Sequence, residues 1–184
     1  NQDNSISTTL LLGVMRIVLK WPKTDPETAI DLDSHLSHPD NDSNGIFHLY
    51  YDVDVQGCTG ICDYLTYGAG DNVTLDFDDD NSTAPPGKET FTITKIHSGT
   101  YSYSVHNMTD KDNDTANYKT NFSKSNAKVK VFYNKEGTLV KKRFYVPNDN
   151  GTLWRVFTFD SSGSGSGFTR VDNMTYETRS SKVY

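Results

Sequence analysis

The sequence predicts an all-β protein, a β-sandwich of about nine or ten short, mostly antiparallel strands. Three observations lead there. Aromatic residues make up 12% of the chain, with eleven Tyr and nine Phe, and together with abundant Thr and Val they favour strands over helices. Apolar residues alternate with polar ones at period two in segment after segment. Gly, Pro, Asn and Asp clusters punctuate these segments at short intervals, as turns require. A chain of 184 residues suits one such domain.

The elements follow in order. Residues 1–12 read as an N-terminal extension, with residues 13–184 forming a single sandwich domain. Thr9 to Leu12 are apolar enough to pair, either as a first strand of the same sandwich or as a strand donated to the open sheet edge of a neighbouring subunit. Met15, Ile17, Leu19 and Trp21 then give one fully apolar face. In DLDSHL, Leu32 and Leu36 share one face and Asp31, Asp33 and His35 the other. IFHLYYDV aligns Phe47, Leu49 and Tyr51, and NVTLDFD turns Val73, Leu75 and Phe77 inward. TFTITKI points Phe91 and Ile93 inward, or else its Thr positions. GTYSYSVHN aligns Tyr101, Tyr103 and Val105, and AKVKVFY aligns Val129 and Val131. TLVKKRFYVP is a further strand. TLWRVFTFD sets Trp154, Val156 and Thr158 opposite Leu153, Arg155, Phe157 and Phe159. Ser161 to Gly167 is a low-complexity loop, and the tail beyond it supplies a last strand.

Eight Asn-x-Ser/Thr triplets occur, at Asn41, Asn72, Asn81, Asn107, Asn113, Asn121, Asn150 and Asn173. Chance at this composition gives roughly two or three, so the excess points to N-linked glycans and a secretory route. Most lie in turn-like sequence; Asn72 and Asn107 lie near strand ends, where a glycan must point outward. The two cysteines, Cys58 and Cys62 in CTGIC, fit a small-loop disulfide in that compartment. A metal pair is the alternative, although zinc normally takes four ligands. The chain starts at Asn1, as a secreted protein would after signal removal. An extracellular or cell-surface location is therefore expected.

A net charge of −6 excludes a broad basic nucleic-acid footprint. The longest apolar run is broken by Arg16 and Lys20 and is too short to span a membrane. The acid is concentrated instead. Asp31 and Asp33 lie in one strand, and Asp76, Asp78 and Asp80 share a face of LDFDDDN if that strand continues. Like charges so close repel unless a cation or solvent relieves them, and hard oxygen ligands suit Ca²⁺. The spacing is not that of an EF-hand: Gly87 stands at its twelfth position, with Glu89 nearby. A solvated turn is the plainer reading of the same residues. An Asp31–Asp33–His35 face joined by His48 would suit a metal-dependent hydrolase, a less favoured alternative because the sequence shows no pocket.

The order RIVLKW, DLDSHL, FHLYY, LDFDDD with GKETFTI, then GTYSYSVHN resembles the YfaP-like domain over roughly residues 13–133. The turn after LDFDDD is longer here, and CTGIC is an insertion. The resemblance implies a secreted β-sandwich in which Asp31, Asp33, Asp76, Asp78 and Asp79 form a structural cluster. It implies no activity.

The expected function is a non-enzymatic extracellular structural glycoprotein. Such a protein would be a subunit of a surface filament or matrix, assembled by N-terminal strand donation and partnered by itself or by other extracellular proteins or glycans. The alternative is an adhesion module binding carbohydrate or protein, with Trp21, Trp154, Tyr50, Tyr64 and Tyr67 as candidate stacking residues. For both Trp residues, core packing is the preferred reading.

Overall fold

The computed structural model describes residues 14–23, 31–39, 46–51, 64–66, 72–79, 85–112, 120–162 and 167–183. Residues 1–12, both cysteines, Asp80, Tyr67, Asn41, Asn81 and Asn113 lie outside them.

The alternation in β1 (Met15–Trp21) sets the architecture. Met15, Ile17, Leu19 and Trp21 are all buried on one side. Antiparallel neighbours take both of its hydrogen-bonding edges: β6 (Gly87–Ile93) on one and β8 (Lys128–Lys135) on the other. β4 (Tyr64–Thr66), β5 (Asn72–Phe77) and β9 (Thr138–Tyr145) complete a six-stranded sheet of order β4-β5-β6-β1-β8-β9. The second sheet has the order β11-β10-β7-β2-β3, built from β2 (Leu32–Pro39), β3 (Ile46–Leu49), β7 (Thr100–Asn107), β10 (Leu153–Asp160) and β11 (Gly167–Thr175). All pairings are antiparallel, and the inner faces of the sheets share one core. The protein is an all-β sandwich, with eleven strands among the described residues.

Most inward positions are those the alternation gives. Leu32, Leu36, Phe47, Leu49, Tyr101, Tyr103, Val105, Val129 and Val131 are buried. In β6, Phe91 and Ile93 face the core, which resolves the register of that strand. Phe91 meets Tyr103 of the opposite sheet edge-on, with ring centroids 6.3 Å apart. Both Trp residues are fully buried, so neither offers a face to a sugar. A single helical turn, α1 (Asn121–Lys124), packs Phe122 edge-on against Trp154.

Two strands break the expected alternation for the same reason. In β5 the ladder to β6 shifts register between Leu75 and Phe77. That bulge reverses the phase beyond it, so Phe77 is half-exposed instead of buried. In β10 the ladders to both neighbours shift between Arg155 and Phe157. Val156 is the extra residue, and Phe157 and Phe159 join Trp154 in the core while Thr158 does not. A strict period-two reading cannot register a one-residue insertion.

Two close approaches depend on glycine or positive φ. Glu136 (φ 52°) and Gly137 (φ 84°) form the two-residue loop between β8 and β9, where paired positive φ values match the twist of the strands. Gly87 lies opposite Trp21, and the indole fills the space a side chain would take.

Candidate functional site

The site begins where β3 ends. β3 pairs only with Leu36–Pro39, so among the described residues the first half of β2 has a strand neighbour, β7, on one side alone. In this register the Ser34 amide points to the uncovered side. It donates to Glu89 Oε2 at 2.5 Å, a bond from the five-stranded sheet to β6 of the six-stranded one. Glu89 sits in the same apolar stripe as Phe91 and Ile93 and is 1% exposed. Its other oxygen, Oε1, is buried without a hydrogen-bond partner. Beside it, Ser34 Oγ and the Tyr103 hydroxyl share a hydrogen bond of 2.7 Å.

Asp33 and Asp78 complete the group. Asp33, Asp78 and Glu89 each bring one carboxylate oxygen within 4.8 Å of the other two. Asp33 is buried, and Asp78 is exposed just past β5. Burial pushes the Asp33 carboxyl up to about 9; the charges of Asp31 and Asp78 add to the rise and Lys111 opposes it. Burial also raises Glu89, reinforced by Asp33, while its bonds from Ser34 act the other way. Three acidic groups from both sheets thus converge, and burial makes ionisation costly for Asp33 and Glu89.

Of the five aspartates expected to hold a metal, the structure brings Asp33 and Asp78 together. Asp31 acts on Asp33 through its charge, but its backbone is bound elsewhere: its amide donates to the Thr109 hydroxyl, and its carbonyl accepts from the Met108 amide. Asp76 is not in the group. Alternation with the inward Val73 and Leu75 keeps it on the outer surface beside Thr74, where it accepts hydrogen bonds from Thr74 and Thr92, and the bulge after Leu75 separates it from Asp78. Asp79 turns the opposite way and forms a buried ion pair with Lys23 at 2.9 Å. Glu89 is the member that aspartate spacing does not identify. Its signal is a lone acid within an otherwise apolar inward stripe.

A second cluster lies on the face of β2 opposite Leu32, Ser34 and Leu36. His35 Nδ1 and His48 Nε2 are 2.8 Å apart, so one ring donates to the other. Tyr50 stacks on both, at 5.0 Å from His35 and 4.6 Å from His48. His106 meets His35 edge-on, and its Nε2 donates to the Glu177 carbonyl at 2.7 Å. Burial lowers all three imidazoles, His48 to about 4, and the neighbouring His48 and His106 add to the effect at His35. The His35–His48 bond occupies one nitrogen of each ring. Neither ring belongs to the carboxylate group.

The described sequons divide by exposure. Asn150 and Asn173 are exposed, and Asn121 is half-buried. Asn107 points inward instead of outward: it is fully buried, and its Nδ2, the atom a glycan would take, donates to Asp110 at 2.8 Å. The side chain of Asn72 lies outside the described residues. No helix is long and apolar enough to cross a membrane among the described residues. No family model and no curated protein matches this chain.

Proposed function

We propose that the chain is a non-enzymatic extracellular structural module, N-glycosylated on its loops and built to associate with copies of itself or with other extracellular partners. The observation that carries this reading is the placement of the chemically capable side chains. Asp33, Ser34, His35, Glu89 and Tyr103 are buried within the sandwich, where they join strands and sheets instead of lining a surface a substrate could reach. The exposed sequon residues Asn150 and Asn173 support a sugar coat at loop and edge positions. The YfaP-like motif order agrees with a secreted sandwich.

Sedimentation velocity tests the assembly, comparing the full chain expressed through a secretory route with a variant lacking residues 1–12. Concentration-dependent association that the truncation abolishes supports strand donation. A monomer in both forms, up to the highest soluble concentration, overturns it.

A further inference from the structure

We propose that Asp33, Asp78 and Glu89 bind one divalent cation of the Ca²⁺ type, and that the ion ties the two sheets together. Three observations independent of the assembly proposal converge on this site. First, the three oxygens lie within 4.8 Å of one another. Ca²⁺ sits about 2.3–2.6 Å from each ligand, so two of its oxygens stand at most roughly 5 Å apart. One ion can therefore touch all three. Second, Glu89 Oε1 is buried and without a partner in a side chain 1% exposed. An acceptor left so in a protein interior calls for a missing donor or cation. Third, the donors come from both layers: Asp33 from β2, Glu89 from β6, and Asp78 from the residue following β5.

The donor set selects the class of ion. It is all carboxylate, with no thiolate or imidazole in the group, which favours a hard cation over zinc or copper. Asp78 is exposed, so water can fill the remaining positions that Ca²⁺ requires and a protein cage need not. The nearby basic residues are engaged elsewhere. Lys23 pairs with Asp79, and Lys111 pairs with Asp112 at 2.6 Å. Neither Asp33 nor Glu89 forms an ion pair with Lys or Arg among the described residues.

The test uses the full chain, stripped with chelator and dialysed into metal-free buffer. Calorimetric titration with CaCl₂ is followed by thermal melts with and without the salt. One Ca²⁺ per chain is expected, with melting raised by roughly 5–10 °C at a hundredfold excess over the dissociation constant. Asp78→Asn, an exposed substitution, leaves the apo fold intact and weakens Ca²⁺ at least tenfold. Glu89→Gln is the second variant; its melting point becomes independent of Ca²⁺. The inference is overturned if wild type shows neither heat nor a melting shift at millimolar Ca²⁺. It is overturned equally if Asp78→Asn and Glu89→Gln respond as wild type does, or if Mg²⁺ or Zn²⁺ acts where Ca²⁺ does not. These outcomes are independent of whether the chain self-associates.

Discussion

Replacing Gly87 with alanine should destabilise the sandwich strongly, although the change adds only one methyl group. A Cβ at this position would lie 2.0 Å from Trp21 Cε2 and 2.4 Å from both Cδ2 and Cζ2. Carbon atoms rest about 3.5–4.0 Å apart, so the indole must retreat by roughly 1.5 Å. It has little room: Trp21 is fully buried, and Lys23 Nζ lies 4.9 Å above the ring. Lys23 is itself fixed to Asp79, whose second oxygen accepts the Lys88 amide at 3.0 Å. Overpacking a core typically costs about 1–3 kcal/mol, and a rigid ring bounded by an ion pair puts Gly87→Ala at about 3 kcal/mol. In a chain of this size that lowers melting by roughly 6–12 °C. Thermal denaturation followed by circular dichroism reads the effect, with Lys88→Ala as the neighbouring control. Trp21→Leu in the Gly87→Ala background should cost less than the two single changes added together. A Gly87→Ala protein that melts within 2 °C of wild type would refute the steric argument.

The Ser34–Tyr103 pair offers a second check. Tyr103→Phe strands the buried Ser34 hydroxyl and should cost about 1–3 kcal/mol, whereas adding Ser34→Ala should recover part of the loss, measured by urea unfolding of all four proteins. The histidine cluster predicts acid sensitivity. His48 has a folded pKa depressed to about 4 against 6.5, so its contribution is fully present above 6.5 and is lost as pH falls toward 4. Relative to His48→Gln, wild type should lose roughly 2–3 kcal/mol across that window, and a flat difference would contradict it. Glycopeptide mass mapping of secreted protein should find sugar at Asn150 and Asn173 and a bare Asn107, since Asn107 is buried and bonded to Asp110. Glu136→Asn in the β8–β9 loop should stabilise by about 0.5–1 kcal/mol, because Asn tolerates the positive φ better. An unchanged urea midpoint would count against that assignment.

The fold was legible wherever burial and alternation coincide. Met15 to Trp21, Tyr101 to Val105, and Val129 with Val131 read correctly because each strand presents one face to the core without interruption. Phe77 and the second half of β10 did not, since a bulge changes which parity is inward and leaves no residue-type mark. The acidic site was half legible. Asp33 and Asp78 are close in space because β2 and the end of β5 meet where β3 stops, a tertiary fact that local spacing cannot encode. Asp76 shared the spacing of Asp78 but stayed on the outer face that alternation gives it, while the bulge that exposes Phe77 reversed the phase before Asp78. Glu89 was visible as an acid in an apolar stripe, yet its pairing with the Ser34 amide depends on which strand edge is left open. Asn107 shows the converse: a sequon is read from three residues, but its use is decided by the neighbour, here Asp110.

The bond from the Ser34 amide to Glu89 bears on how the molecule responds to force. Greasy contact between two layers resists their being pulled apart but offers little grip against sliding, because one apolar neighbour serves nearly as well as the next. An amide fixed in its strand, aimed at a carboxylate rooted in the other layer, has a single matching position. A sideways load would meet a detent there.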